Sequence, residues 1–143
     1  MKEAKKLLLN HKTGCIADCY SGDLNHAWYV LGDICYKLRD FDCAVHSFRK
    51  ALSEEPNDVH AMWGLGNSYS ELSQPKKAAK WFGKALEIEP LNPSITYNYA
   101  NCLFDLREYK VAIDLYRSIP PGASEFTLAR KNMRKARKLL SLR

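Results

Sequence analysis

Long apolar runs are missing from this chain. No stretch of its 143 residues approaches the ~18 uninterrupted apolar residues of a membrane span. The N-terminal segment is apolar only over Leu7-Leu8-Leu9, too few for the core of a secretory signal, so a soluble, cytoplasmic protein is expected. Cysteine is scarce and odd in number: five residues in a chain long enough to bury a core without staples argue against a disulfide framework and for reduced thiols. Acidic residues are absent from the last seventeen positions. Residues 127–143 hold seven cations, and everything before them sums to −1, so the net charge of +6 describes the C-terminal segment alone.

Catalytic and metal-binding patterns are also wanting. Cys15-x3-Cys19, with His11 and His26 nearby, has a spacing that zinc sites use, but no second pair follows it. Cys35, Cys43 and Cys102 fall on helix-packing positions, and no metal or other cofactor is expected. No nucleophile–base pair, carboxylate pair or glycine-rich phosphate loop reaches motif quality, and Gly64-x-Gly66 sits inside a helical pattern. An enzyme is not expected. His46 and His60 read as solvated or groove residues.

What the chain does have is a period of 34. Lys50-Ala51-Leu52 returns as Lys84-Ala85-Leu86, and Leu31-Gly32 as Leu65-Gly66. Leu38 returns as Leu72 and Leu106, Ala44 as Ala78 and Ala112, Phe48 as Phe82 and Tyr116, and Pro56 as Pro90. Within one period, Trp28, Leu31, Gly32 and Cys35 form a stripe at i, i+3, i+4 and i+7. Ala44, Phe48, Ala51 and Leu52 form a second stripe after a break near Asp40. Each period is therefore two antiparallel helices. Small residues such as Gly32 and Ala44 mark where the helix backbones approach, and Pro56 and Pro90 end the unit.

The runs Trp28-x2-Leu31-Gly32-x2-Cys35, Ala44-x3-Phe48, Pro56 and Met62-x2-Leu65-Gly66-x2-Tyr69, Ala78-x3-Phe82, Pro90 resemble the tetratricopeptide repeat (TPR). That signature has Trp, Leu-Gly, Tyr, Ala, Phe and Pro at those places; Cys35 and Met62 are the departures. The resemblance implies an all-α fold: a right-handed superhelical stack of antiparallel helix pairs. Its parts are expected as 1–24, an N-terminal helical segment or degenerate repeat; 25–58 and 59–92, two full repeats; 93–122, a shortened third; and 123–143, a basic capping helix. Ile119-Pro120-Pro121-Gly122 is expected to stop the third unit's second helix about two turns early. Ser124 is expected to cap the last helix, whose buried face is Phe126, Ala129, Met133, Ala136 and Leu140.

In the resembled family the first helices of successive units line a concave, partner-binding groove. Here those positions carry Tyr29, Trp63 and Tyr97 as an aromatic ladder beside Asp33, Asn67 and Asn101, with Asn98 adjoining. Aromatic area and amide hydrogen bonding suit an extended peptide. The implied function is a non-catalytic protein-interaction module, an adaptor, scaffold or co-chaperone-like protein, holding a peptide or helix of a protein partner. Relatives that grip acidic chaperone tails place Lys, Arg and Asn on the first helices. The matching places here hold Tyr29 and Asp33, then Gly64, then Ser94 and Asn98, so an acidic chaperone-tail peptide is not expected. The alternative is nucleic-acid or anionic-membrane binding through the basic C-terminal helix, with Arg130, Arg134, Lys135 and Lys138 as candidate anion-binding residues.

Overall fold

The structure, a computed structural model, describes residues 23–142. The expected N-terminal segment, with His11, Cys15 and Cys19, lies almost wholly outside the described residues, as does Arg143. The described residues form seven helices and no strand: α1 (Leu24–Lys37), α2 (Phe41–Glu54), α3 (Val59–Glu71), α4 (Pro75–Ile88), α5 (Pro93–Asp105), α6 (Tyr109–Ser118) and α7 (Phe126–Ser141). Two compact units divide the chain between Leu72 and Ser73.

Local chemistry sets the helix ends. Asp23, Asp40, Asp58 and Asn92 each accept a hydrogen bond from a backbone N–H three residues on, at 3.0–3.3 Å, satisfying a donor that the helix start leaves open. Pro75 and Pro93 sit in the first turn, where a missing N–H costs nothing. The period of 34 recurs in the backbone itself. Arg39, Ser73 and Arg107 take left-handed φ values of 60°, 56° and 63°, each following the C-cap leucine of a first helix. Arg39 and Arg107 close full Schellman turns. The N–H of Asp40 reaches the carbonyl of Cys35 at 2.9 Å, and that of Glu108 reaches Leu103 at 2.8 Å.

In the first unit α2 packs on both α1 and α3. Ala27, Trp28, Leu31 and Cys35 of α1, Ala44, Phe48 and Ala51 of α2, and Met62 and Leu65 of α3 are all buried. The Phe48 ring lies close to two glycines. A Cβ added to Gly32 would stand 2.7 Å from the ring, and one added to Gly64 would stand 2.5 Å from it. Gly32 was expected at a close approach; Gly64 was not.

The hairpin also brings Cys35 and Cys43 together as a disulfide, with Cα atoms 5.8 Å apart. This corrects the expectation of reduced thiols throughout. Cysteine parity speaks to compartment, whereas a tight helical turn can place two side chains eight residues apart at bonding distance whatever the total count. Cys102 is buried and takes no part in that bridge.

In the second unit α5 packs on α4 and α6, and α7 packs chiefly on α6. Ala100, Leu103, Ala112, Ile113, Tyr116 and Ile119 form one cluster with Ala129, Met133 and Ala136 of α7. Two expectations need amending here. Helix α6 has 10 residues against 14 in α2 and α4, so the Ile119-Pro120-Pro121 stop removes about one turn, not two. Ser124 does not cap α7: Glu125 holds the N-cap position without a side-chain cap bond, and the Ser124 hydroxyl donates to the Glu125 carboxylate instead. That carboxylate also accepts from Ser94 of α5 and is held below the usual range chiefly by that bond. Leu140, expected on the buried face, is 40 % exposed.

Candidate functional site

Helix α1 buries one stripe and presents the adjacent one, Asn25, Tyr29, Asp33 and Tyr36, half-buried at its flank. The elements meet where this stripe approaches the start of α3. Asn25 donates through Nδ2 to the carbonyl of Ala51 at 3.1 Å and to Oδ2 of Asp58 at 2.9 Å, while Oδ1 of Asp58 caps Ala61. The three helices of the first unit are thus tied at one corner. The Tyr29 ring leans on Phe48, centroids 5.8 Å apart, and meets the His60 ring edge-on at 6.3 Å. Together Asn25, His26, Tyr29, Glu55, Asp58 and His60 line an open cleft of about 500 Å³.

The cleft is acidic. Glu55 and Asp58 line it, no lysine or arginine among the described residues does, and the nearby Asp33 is paired with Lys37 at 2.7 Å. Burial, then the charges of Asp33 and Asp58, raise the Tyr29 phenol above its ordinary range, so it stays a neutral donor and acceptor. At the other end of the stripe, burial and Glu71, which shares a hydrogen bond with its hydroxyl, raise Tyr36 likewise. Arg39 lies 3.9 Å from the same Glu71 carboxylate.

Of the expected groove residues in this unit, the structure brings Tyr29 into the cleft and leaves Trp63 and Asn67 off its lining. Trp63 is half-buried, and its indole N–H is buried with no acceptor among the described residues. Asn25 and Asp58 were not among the expected groove residues, and His60 and Glu55 were expected only as ordinary solvated or groove residues. Their only visible signal was position: Asn25 lies one helical turn before Tyr29, and Asp58 and His60 flank the start of α3.

In the second unit the expected ladder residues are partly spoken for. Oδ1 of Asn101 accepts from the Tyr116 hydroxyl at 2.6 Å and from Nδ2 of Asn132 at 3.1 Å. That same amide lies 3.2 Å from the Tyr97 hydroxyl, and the Tyr97 and Tyr116 rings are 6.1 Å apart. Burial drives the Tyr116 phenol strongly upward, keeping it a neutral donor. Asn98 is half-buried on the same helix. The organiser of the network, Asn132, was not expected; it is an amide set among cations in Arg130-Lys131-Asn132-Met133-Arg134. Of the candidate anion-binding residues, Arg130 stacks over Phe126 at 4.9 Å. Arg134, Lys135 and Lys138 are exposed, with no ion pair among the described residues.

Capped helices in tight hairpins, repeating every 34 residues, define a helical-repeat protein of the kind built to present surfaces. The family model for "Anaphase-promoting complex, cyclosome, subunit 3" matches residues 37–119, more than half of the chain. The chain belongs to that family, one of tetratricopeptide repeats. Superkiller protein 3 of Saccharomyces cerevisiae is 27 % identical over 95 residues, covering 66 % of this chain and 7 % of that protein. The chain therefore spans only a small part of this relative's length. Among solved structures, the MamA protein superposes with a TM-score of 0.78 at 21 % identity, covering 83 % of this chain and 65 % of the other. The first TPR of Spaghetti (RPAP3), bound to the HSP90 peptide SRMEEVD, gives 0.74 at 17 % identity, covering 82 % and 95 %. These likenesses establish the all-α helical-repeat fold.

Proposed function

We propose that this protein is a non-catalytic interaction module and that the cleft between α1 and α3 of its first unit receives a neutral or basic segment of a protein partner. The observation that carries this reading is the cleft itself: an aromatic pair, Tyr29 and His60, beside the carboxylates of Glu55 and Asp58, with no lysine or arginine in the lining among the described residues. A peptide amide can bond to the Tyr29 hydroxyl, and a cationic side chain finds charge complementarity. A neighbour of the same fold is bound to the peptide SRMEEVD, which supports a peptide as the kind of partner. The acidity of this cleft argues for a partner of the opposite charge.

The test is an array of short neutral, basic and acidic peptides probed with the full chain, followed by titration of the best binder. Tyr29→Ala combined with His60→Ala should weaken that binder at least about tenfold, as loss of a central aromatic anchor does. Tyr29→Phe preserves the packing on Phe48 and separates the hydroxyl's part from the ring's. Unchanged affinity in a folded double variant, or a preference for acidic peptides that the double variant abolishes, refutes the assignment.

A further inference from the structure

Helix α7 has a face that the second unit does not use. Ala129, Met133 and Ala136 are buried, but Leu128, Leu139 and Leu142 are 52 %, 37 % and 75 % exposed. These leucines are not scattered. Leu128, Lys131, Lys135 and Leu139 recur at steps of three, four and four, which places them on one stripe of the helix, turned away from the buried one, and the C-cap Leu142 follows three residues on. Arg134 and Lys138 flank the stripe. Among the described residues none of these cations has an acid at ion-pair distance.

We propose that this stripe docks on an anionic bilayer. A strand of RNA would satisfy the cations but give three exposed leucines nothing to bury against. The face also offers no free aromatic on which bases could stack, because Phe126 is covered by Arg130. The headgroup layer takes both kinds of group at once. Leucines enter the acyl boundary, and lysines on the same stripe bury their methylene stems while the ammonium groups stay with lipid phosphates and carboxylates. The surface is distinct from the cleft of the first unit, so either can fail in experiment without the other.

The experiment is co-sedimentation of the full chain with vesicles of phosphatidylcholine alone and with phosphatidylserine added. Binding should require the anionic lipid and fall steeply with salt. Arg134→Gln, Lys135→Gln and Lys138→Gln together should weaken it on the order of a hundredfold, at roughly a factor of five per charge. Leu128→Ala, Leu139→Ala and Leu142→Ala together should also weaken it at least about tenfold while leaving the melting temperature in place, since alanine and glutamine keep the helix and the sites are exposed. Equal binding to neutral vesicles, or no binding to either, overturns the proposal. So does tight binding of a single-stranded RNA oligonucleotide without vesicle binding. Self-association in sedimentation velocity that the alanine variant alone abolishes, again without vesicle binding, makes the stripe an interface between copies and overturns it too.

Discussion

Gly64→Ala is the sharpest perturbation the first unit offers, because two effects of opposite sign act on it and their sizes decide the outcome. In an open helix the change stabilises by about 1 kcal/mol, since alanine has less backbone freedom to lose than glycine. Here the new methyl would stand 2.5 Å from Cζ of Phe48 and 2.7 Å from Cε1. An ordinary contact needs about 3.5–4.0 Å, so the ring would have to withdraw by roughly 1 Å. It has little room to do so: Phe48 is 2 % exposed, Gly32 approaches its other atoms from α1, and Tyr29 leans on it. Overpacking of a closed site costs about 1–3 kcal/mol, and the rigidity of this one puts it toward the upper end. The expected net effect is a loss of about 1–2 kcal/mol, measured by urea unfolding followed by far-ultraviolet circular dichroism. Phe48→Leu removes the ring atoms that clash. The double variant should therefore be less destabilised than the sum of the single changes by about 1 kcal/mol or more. A stabilised Gly64→Ala protein, or strict additivity in the cycle, would refute the reasoning.

Two further outcomes follow from backbone and charge. Arg107 holds φ at 63° in a Schellman turn, where a side chain is strained and glycine is not. Arg107→Gly should therefore raise stability by about 0.5–1 kcal/mol in the same urea assay, against a loss of similar size for glycine placed mid-helix at exposed Lys80. Burial raises the Asp105 carboxyl above its ordinary value of 3.8. The folded chain then binds the proton more tightly than the unfolded chain, so this group weakens the fold as pH climbs through the raised pKa. Asp105→Asn should increase the melting temperature at pH 7 and lose that advantage below the ordinary carboxyl range. A constant advantage across pH would assign the effect to something other than ionisation.

The helices were legible because a stacked repeat asks the same packing of the same position every 34 residues. Leu31 and Leu65 are fully buried, and so are Ala44, Ala78 and Ala112. Features set by contacts outside that step were not legible. Gly64 stands 34 residues from Val30 and Asn98, so the period gave no reason to single it out, and its role depends on the reach of one ring from α2. The left-handed turn residues were invisible for a different reason. Arg39, Ser73 and Arg107 are not the glycine or asparagine that marks such turns, and the paired helices enforce the geometry regardless of type. The cleft was half legible. Tyr29 lies on the expected face, but Asp58 joins it through a bond from Asn25, 33 residues away, and His60 through the angle at which α3 begins.

The rotation of α7 about its own axis decides what the helix shows to the outside. Its buried contacts are Ala129, Met133 and Ala136, two of them methyl-sized and interchangeable with other small apolar groups. A seam of that kind holds a helix against its neighbours without strongly fixing which way it is turned. Asn132 supplies what the seam lacks. Its amide reaches Asn101 and Tyr97 on α5, and Asn101 in turn holds the hydroxyl of Tyr116 on α6. One residue's turn of α7, about 100°, would leave these groups facing apolar surface without partners. It would also carry Arg137 or Lys135 toward the place that Ala136 fills. The polar network therefore selects one orientation by making its alternatives expensive, and in that orientation the leucine–lysine stripe faces outward. An amide that would read as a break in a basic run is, in the folded chain, what keeps that run on the surface.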